Sequence, residues 1–354
     1  MKYFSQILFL MICISQLNAQ VKINSSTFGA IEPRSLGPGT MSGRITSIDG
    51  TSKDGKTIFV GTAGGGVWKS TNAGASFNSV FDKYCQSIGA ITIDQKNPNV
   101  IYVGTGESNM RNTVSIGVGM YKSSDAGANW TKIGLDSTEH ISKIAIDPAN
   151  SNIIYVSVPG PLWSDSPHRG LYKSIDAGKT WEKILFINEK TGCADICINS
   201  KNSSIIYATT WEFRRKPYSF NSGGKGSGFY KSTDAGKTWK KINNGLPSGD
   251  FGRIAMAISQ SAPNQLIAIV ESNNTGLYIS RDGGENWKQQ SSTVNVVSRP
   301  FYFSTIVIDP IDSNRVYRPA FTLSYSNDGG YSFDDVSGDG GWVHSDHHAL
   351  WINP

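Results

Sequence analysis

The sequence predicts an all-β fold, a β-propeller built from four-stranded blades. One motif, Ser-x-Asp-x-Gly-x-x-Trp, occurs six times between residues 70 and 333, and successive copies begin 53, 51, 58, 48 and 46 residues apart. The segments between the copies alternate apolar and polar residues and are rich in β-branched and aromatic residues, which is typical of strands. A period of about fifty residues without a helical pattern indicates a radially repeated β architecture.

Each copy of the motif is predicted to form a tight turn between two strands. The copies begin at Ser70, Ser123, Ser174, Ser232, Ser280 and Ser326, with Asn72 in place of Asp in the first and Phe77 and Phe333 in place of Trp in the first and last. The Asp or Asn side chain can accept hydrogen bonds from its own turn, and Gly can adopt a positive φ. The aromatic residue then begins the next strand. We therefore expect four motif residues to be largely buried and important for stability: Trp130, Trp181, Trp239 and Trp287.

Each repeat is predicted to contain four short strands, as the third repeat illustrates. Its first strand covers 144–148 and ends in Asp-Pro, and its second strand covers 153–156 after a turn rich in Asn. The third strand, 170–174, runs into the motif turn, and the fourth covers 179–184. Four such strands, arranged around a central axis with those of the other repeats, form one propeller blade.

The C-terminal end of the sequence predicts a further blade. Residues 346–354 match the opening strand of another repeat. We therefore expect six repeats plus the start of a further blade, in a propeller of seven blades or more, with the remainder of a longer chain as a partner. The alternative is a six-bladed propeller with an ordered tail. The predicted boundaries are a propeller at 44–336 and an opening strand at 337–354, preceded by an N-terminal segment at 20–43 that can lend one closing strand.

The first residues predict export from the cytoplasm. Residues 1–19 combine Lys2, an apolar core at 7–12 and a Leu-Asn-Ala cleavage pattern at 17–19, as a signal peptide does. This apolar run is too short to span a membrane, and no later run approaches the required length. We expect a secreted, periplasmic or cell-surface protein without a membrane partner.

Charge and cysteine content limit the function further. The formal net charge is only +5, and the Lys and Arg residues are scattered, which argues against a nucleic-acid partner. After cleavage the chain keeps Cys85, Cys193 and Cys197, an odd number for an exported protein. We interpret all three as small residues that fill the core. No cofactor is predicted.

The repeats and four further segments resemble a known group of proteins. The segments are 37–45 (Gly-Pro-Gly-Thr-Met-Ser-Gly-Arg-Ile), 104–107 (Gly-Thr-Gly-Glu), 159–163 (Pro-Gly-Pro-Leu-Trp) and 346–351 (Asp-His-His-Ala-Leu-Trp). The motif is similar to the Asp-box, or bacterial neuraminidase repeat (BNR), of sialidases, sortilin-type domains and two-propeller xyloglucanases. Overall, the mature chain resembles secreted bacterial sortilin-like, glycosyl-hydrolase-like propellers. The resemblance implies that the Asp-box turns are structural and lie on the face opposite the functional one.

Two enzyme activities within this resemblance are disfavoured by the sequence. Sialidases carry Arg-Ile-Pro near the start, whereas this chain has Arg44-Ile45-Thr46 and no Tyr/Glu nucleophile pair that can be placed. Xyloglucanase-type enzymes carry a catalytic Asp in Thr-Asp-x-Gly-Gly, which aligns with 62–66. Ala63 stands at the carboxylate position and cannot protonate a leaving group.

Long loops in three adjacent repeats are the predicted ligand-binding face. They connect strands two and three, and we name them insert 2 (107–119), insert 3 (160–170) and insert 4 (211–228). Aromatic rings offer stacking faces for sugars or peptide side chains, and Arg presents a planar fork to carboxylates. The candidate ligand-binding residues are Glu107, Arg111, Trp163, Arg169, Trp211, Arg214, Arg215 and Tyr218. Equally, these loops can cover one another or dock a neighbouring domain.

A histidine-rich segment near the end is a weaker site. In an extended strand, His344, Asp346 and His348 point the same way and are suited to a divalent metal. Residues of this kind more often satisfy buried backbone groups, and we favour that structural interpretation over a metal site.

Two functions of different classes follow from the sequence. The first is an exported propeller, not shown to be catalytic, that binds a glycan, a peptide or a partner protein through inserts 2 to 4. The second is a propeller-type glycoside hydrolase with a non-standard carboxylate pair, for which Glu107, Glu212 and Asp346 are the available acids. A bare structural platform would show neither binding nor turnover.

Overall fold

The structure is a computed structural model that describes residues 43–336 and 343–354. Contacts divide the chain into two units, 1–36 and 37–354, and every described residue belongs to the second. The predicted signal peptide and all but the last residue of the predicted N-terminal segment lie outside the described residues.

The described residues form six antiparallel blades in which each strand pairs with the next along the chain, except within the fourth blade. Blade 1 holds β1 (Ile45–Gly50), β2 (Ile58–Thr62), β3 (Val67–Ser70) and β4 (Asn78–Ser79); blade 2 holds β5 (Ile88–Ile93), β6 (Ile101–Thr105), β7 (Met120–Ser123) and β8 (Thr131–Lys132); blade 3 holds β9 (Lys143–Ile146), β10 (Ile154–Val158), β11 (Gly170–Ser174) and β12 (Glu182–Leu185). Blade 4 holds β13 (Thr191–Ile198), β14 (Ile206–Lys216), β15 (Ser219–Ser222), β16 (Gly228–Ser232) and β17 (Lys240–Lys241); blade 5 holds β18 (Ile254–Ile258), β19 (Leu266–Val270), β20 (Gly276–Ser280) and β21 (Lys288–Ser291); blade 6 holds β22 (Val307–Ile308), β23 (Val316–Pro319), β24 (Leu323–Ser326) and β25 (Asp334–Asp335). In blade 4, β14 pairs with both β15 and β16. A short helix, α1 (Val294–Val297), precedes blade 6.

The core lies between consecutive blades. Phe59 and Val67 of blade 1, for example, pack with Ile91, Val103 and Trp130 of blade 2. The first strands of consecutive blades also contact each other, from β1 through to β22. These strands line a central channel of about 380 Å³.

The six Asp-box turns share one hydrogen-bond pattern, as predicted. In blade 2, the Gly127 N–H donates to Ser123 Oγ at 2.8 Å, and the Asn129 N–H donates to Asp125 Oδ1 at 2.8 Å. Two consecutive residues have positive φ, 55° at Ala126 and 87° at Gly127. Equivalent bonds recur in the other five turns.

The Asp-box tryptophans connect neighbouring blades. The indole N–H of Trp130 donates to the Val80 carbonyl of blade 1 at 2.9 Å, and that of Trp181 donates to the Ile133 carbonyl that follows blade 2 at 2.7 Å. The indole N–H of Trp239 donates to the Ile184 carbonyl of blade 3 at 2.9 Å. Trp130 and Trp287 are buried as predicted, whereas Trp181 and Trp239 are only partly buried.

Residues 343–354 do not form the opening strand predicted at 337–354, and residues 337–342 lie outside the described residues. The described residues give six blades, and 343–354 contains no ladder strand. An opening strand needs a second strand beside it, but this segment makes only single hydrogen bonds to residues in and beside blade 6, and its Trp351 ring lies against Gly50 of blade 1. His347 N–H donates to the Ala320 carbonyl at 2.7 Å, and Thr305 Oγ1 donates to the His348 carbonyl at 2.8 Å. The six-bladed alternative with an ordered tail therefore describes these residues better.

The three cysteines carry free thiols. Cys193 and Cys197 are buried in β13, as a core-filling role predicts, but Cys85 is half-buried. Across 43–336 and 343–354, no helix has both the length and the apolar character that crossing a membrane requires.

Candidate functional site

The inserts lie at the blade edge opposite the Asp-box turns. Each insert connects the second strand of its blade to the third, and each Asp-box turn connects the third strand to the fourth. Because successive strands are antiparallel, these two connections leave opposite ends of the third strand. The Asp-box turns and the inserts therefore lie at opposite edges of the blades, as expected from the sequence.

Insert 4 is a β-hairpin rather than a loop. Strand β14 continues past its blade to Lys216, and β15 folds back on it so that Phe213 pairs with Ser222 and Arg215 with Phe220. Alternation of large residues at Trp211 and Phe213 with charged ones predicts such a strand. The prediction of a loop at 211–228 was wrong because it assumed that the second strand of blade 4 ends before residue 211, whereas β14 continues to Lys216.

The inserts pack on one another through a small apolar cluster. Met110 of insert 2, Leu162 of insert 3, and Trp211 and Phe213 of insert 4 form its buried part. Trp211 stacks on Phe213 with ring centroids 4.1 Å apart, and its indole N–H donates to Ser222 Oγ at 3.1 Å. The alternative that the loops cover one another is thus correct for this part of the face.

Two predicted ligand-binding residues are structural instead. Trp211 is fully buried in the cluster, so neither face of its ring is available to a ligand. Arg169 is also fully buried: its guanidinium donates to the carbonyls of Pro159, Pro161 and Ser164 and lies 4.6 Å from the Phe213 ring centroid. Arg169 therefore holds insert 3 in shape. Burial lowers its pKa to about 10, which leaves it protonated at neutral pH.

Other aromatic and basic residues of inserts 3 and 4 lie around a groove, some of them exposed and others, such as Arg214 and Arg215, half-buried. We define the blade 3–4 groove, about 570 Å³, by its lining residues: Trp163, Asp165, Lys190, Glu212, Phe213, Arg214, Arg215, Lys216, Ser219 and Asn221. Trp163 is 52% exposed, and Tyr218, at the tip of the β14–β15 hairpin, is 82% exposed. Of the eight predicted residues, the groove lining therefore includes Trp163, Arg214 and Arg215, and Tyr218 lies beside it.

Polar contacts fix the two sides of this groove. The Arg214 guanidinium forms an ion pair with the Asp165 carboxylate, which joins insert 4 to insert 3. The Arg215 N–H donates to the Leu162 carbonyl at 3.1 Å, and the Arg215 guanidinium lies 4.5 Å from the Phe220 ring centroid. Glu212 accepts the Gly226 N–H at 2.9 Å.

Five groove residues were not singled out from the sequence: Asp165, Lys190, Lys216, Ser219 and Asn221. Ser219 and Asn221 lie within insert 4. Asp165 lies within insert 3, so its position could have been predicted from the sequence. Lys216 follows directly after Arg215 in insert 4, so its position could also have been predicted from the sequence. Lys190 comes from the turn before β13, and only the tertiary fold brings it to the groove.

The remaining predicted residues belong to insert 2 and lie elsewhere. Glu107 is buried and forms a two-point ion pair with Arg44, including Arg44 Nη2 to Glu107 Oε2 at 2.7 Å. Burial raises the pKa of Glu107 and the Arg44 hydrogen bonds oppose this, leaving the pKa above its ordinary value. Arg111 is exposed, and its Nε donates to the Thr113 carbonyl at 3.3 Å.

The histidine-rich segment does not have the alternating geometry predicted for a metal site. Asp346 has a φ of 75°, so the backbone leaves the extended conformation between His344 and His348. His344 is exposed, whereas His348 is buried against Tyr302 and Phe303. The part of the chain described here holds no group of three or more His, Cys, Asp or Glu residues placed to bind a metal ion.

Two family models match the chain. The Sortilin-Vps10 model (sortilin, neurotensin receptor 3) matches residues 118–276, and the BNR/Asp-box repeat model matches residues 278–289. The first match covers blades 3 and 4 and parts of blades 2 and 5, and the second covers the Asp-box turn of blade 5.

Two of the curated relatives are xyloglucanases that are much longer than this chain. A xyloglucanase of Hypocrea jecorina is 27% identical over 231 residues, which are 65% of this chain and 23% of the relative. The xyloglucanase Xgh74A of Acetivibrio thermocellus is 23% identical over 285 residues, which are 70% of this chain and 32% of the relative. The chain thus spans about a quarter to a third of the length of these two relatives.

Solved structures share the fold at low identity. An ancestral GH74 enzyme has a TM-score of 0.61 at 19% identity, covering 83% of this chain and 40% of its own. The GH74 xyloglucanase of Xanthomonas campestris has a TM-score of 0.55 at 18% identity, covering 82% and 52%. YCF48 bound to D1 peptide has a TM-score of 0.55 at 16% identity, covering 86% and 85%. Taken with the six blades and their Asp-box turns, these matches identify the chain as a β-propeller of the sortilin/xyloglucanase type with a glycoside-hydrolase-like fold.

Proposed function

We propose that this propeller binds a glycan chain in the blade 3–4 groove. The observation that carries the proposal is the exposed Trp163 ring, which lies at a groove whose other lining groups are mostly polar. A large exposed aromatic side chain in a concave, polar surface is a common binding feature because it stacks on an apolar face of the ligand.

The composition of the groove suits hydroxyl-rich ligands. Glu212 and Asp165 offer acceptors, while Lys190, Arg214 and Lys216 offer donors. Contacts between insert 3 and insert 4 hold both sides in place before binding, so little conformational entropy is lost when a ligand is bound.

Xyloglucan is the first ligand to test. Two curated relatives are xyloglucanases, and xyloglucan is the substrate that their names give. Export through the predicted signal peptide at 1–19 belongs to the same proposal, because such polymers lie outside the cytoplasm. A peptide or protein ligand is the competing outcome of the same assay.

Hydrolysis is the second candidate, because two curated relatives are xyloglucanases. Two acids line the groove: Asp165, which is ion-paired with Arg214, and Glu212, which accepts the Gly226 N–H. Glu107 has the raised pKa that a general acid needs, but it is buried and held by Arg44. These contacts favour binding over catalysis.

Affinity measured by isothermal titration calorimetry with xyloglucan oligosaccharides tests the binding proposal. We expect Trp163→Ala to weaken binding at least about fivefold, which corresponds to about 1 kcal/mol. Tyr331→Ala removes a similarly exposed ring from the blade 6 Asp-box turn and serves as the matched control, with unchanged affinity. Equal affinities for both variants and the unsubstituted protein, or binding only to peptides, would contradict the proposal.

Reducing-end release from the same oligosaccharides tests the hydrolase. We expect no release by the unsubstituted protein. Release that Glu212→Gln or Glu107→Gln abolishes would establish the hydrolase and replace the binding proposal.

A further inference from the structure

A second pocket lies in the central channel, away from the residues that define the groove. At one end, which we name the channel mouth, its lining includes Ser108, Asn109, Arg253 and His348. None of these residues lines the blade 3–4 groove.

Two side chains at the channel mouth are buried without a hydrogen-bond partner. Asn109 is 5% exposed, and its Nδ2 has no partner among the described residues. His348 is also 5% exposed, and neither of its ring nitrogens has a described partner. A buried polar group left unpaired typically costs about 1–3 kcal/mol, so such groups in a pocket point to a bound partner.

The His348 ring is held firmly by its neighbours. It stacks on Phe303 with ring centroids 5.1 Å apart and meets the edge of Tyr302 at 4.6 Å. Burial, together with the nearby charges of Arg44 and Arg253, lowers the pKa of His348 to about 3. The ring is therefore neutral at physiological pH and presents one N–H donor.

Arg253 adds a fixed positive charge. Its Nη1 donates to the carbonyls of Ser108 at 2.7 Å and Phe301 at 3.0 Å, and its guanidinium lies 5.0 Å from the Trp211 ring centroid. Burial lowers its pKa to about 10, so it remains protonated at neutral pH. The carbonyl contacts hold the guanidinium in one position.

The balance of charge at the mouth is positive. Three guanidinium groups act on this region, those of Arg44, Arg111 and Arg253, against the carboxylates of Glu107, Asp195 and Glu271. Two of these carboxylates have a cation of their own, because Glu107 pairs with Arg44 and Asp195 pairs with Lys143 of the channel lining at 2.7 Å. Glu271 accepts the backbone N–H of Arg253 at 2.8 Å. Donors that lack partners, in a field of positive sign, favour an acceptor-rich anion.

We propose that the channel mouth is a binding site for a small molecule carrying an oxyanion group, which accepts hydrogen bonds from Asn109 and His348 and is attracted by Arg253. A carboxylate and a phosphate share this chemistry. The cavity of about 380 Å³ is of a size suited to a monosaccharide-scale ligand.

Titration calorimetry of the full chain with three probes tests the site. D-glucuronate carries a carboxylate, D-glucose 6-phosphate carries a phosphate, and D-glucose carries neither. We expect one or both anions to bind, the stronger identifying the preferred oxyanion, and glucose to bind at least tenfold more weakly. If neither anion binds, or if glucose binds equally well, the proposal is overturned.

Two substitutions that preserve shape separate binding from folding. Asn109→Leu and His348→Phe replace unpaired buried polar groups with apolar ones of similar size, so the melting temperature should stay equal or rise. Both should weaken anion binding at least tenfold, and His348→Phe keeps the proposal testable if Asn109→Leu does not fold. Undiminished anion binding in the folded variants would overturn it.

The channel-mouth site and the groove can fail independently. Trp163→Ala should leave anion binding unchanged, and His348→Phe should leave oligosaccharide binding unchanged. Loss of both activities in His348→Phe, with the melting temperature preserved, would show a single shared site and overturn the proposal of a second one.

Discussion

At the residue scale, the repeated turn depends on two consecutive left-handed residues. In four copies the first is an alanine: Ala73, Ala126, Ala177 and Ala235. In blades 5 and 6 this position is occupied by Gly283 and Gly329, so the turn forms with either alanine or glycine there. A left-handed conformation costs a residue with a Cβ about 1–2 kcal/mol. The second position of the turn is glycine in every copy and therefore avoids this cost.

Substitutions in the blade 2 turn should therefore have opposite effects. Gly127→Ala places a Cβ 2.9 Å from Phe59 Cε1 at a φ of +87° and should reduce the free energy of unfolding by about 2 kcal/mol or more. Ala126→Gly should leave stability unchanged or raise it by up to about 1 kcal/mol. Urea unfolding of both variants checks this. A strongly destabilised Ala126→Gly would contradict the account of the turn.

The Asp-box carboxylates should make stability depend on acid pH. The N–H of Asn129 lowers the pKa of Asp125 to about 2, and the hydroxyl of Thr180 does the same for Asp176. Because these pKa values lie below that of an unfolded Asp, about 4, their stabilisation is complete above pH 4. It is lost as pH falls towards 2. Melting temperatures from pH 6 to pH 2 should fall most steeply in that window.

Asp176→Asn provides the control for this pH dependence. Asn72 already occupies the equivalent place in blade 1 and makes the same backbone contact, so the turn should form. The variant should lose less stability between pH 4 and pH 2 than the unsubstituted protein. An identical loss would show that other groups govern acid unfolding.

At the scale of elements, the blades were largely predictable and the inserts were not. The period of the motif and the alternation of residues predicted the strands, since both depend on local sequence. The β14–β15 hairpin was missed because the second strand of the repeat was assumed to end where the blade ends, whereas β14 continues to Lys216. The burial of Trp211 could not be predicted, because Met110 and Leu162, which share its cluster, come from other blades. Arg169 is buried partly against the Phe213 ring, which likewise comes from another blade.

The indole bonds between blades also escaped the sequence analysis. The motif predicts an aromatic side chain, but its partner carbonyl lies about fifty residues earlier in the preceding repeat. Only the geometry of adjacent blades brings the two together. These bonds offer a direct measure of how strongly one blade supports the next.

Comparing two Trp→Phe substitutions isolates this bond. Trp181→Phe removes the N–H that donates to the Ile133 carbonyl, whereas the Trp287 N–H has no partner among the described residues. Both lose a similar ring volume. We therefore expect Trp181→Phe to reduce the free energy of unfolding by about 1 kcal/mol more than Trp287→Phe does. Equal losses in denaturant unfolding would contradict an interblade role for the indole bond.

At the scale of the whole molecule, rigid blades position two separate polar surfaces. The Asp-box turns lie at the far edge from the inserts, and inserts 3 and 4 join to form the groove. Insert 2 contributes instead to the channel mouth, through Ser108 and Asn109. The radial arrangement of the blades thus divides the three inserts, which are equivalent connections in consecutive blades, between two different surfaces.

The central claim, glycan binding in the blade 3–4 groove, is tested most directly by hydroxyl-radical footprinting. The full chain is oxidised with and without xyloglucan oligosaccharide, and the modified peptides are measured by mass spectrometry. Binding in the groove should protect Trp163 and Tyr218, and it should leave the exposed rings of Phe321 and Tyr331 on blade 6 unprotected. Protection of the blade 6 rings with none at Trp163, or no protection anywhere at saturating oligosaccharide, would contradict the claim.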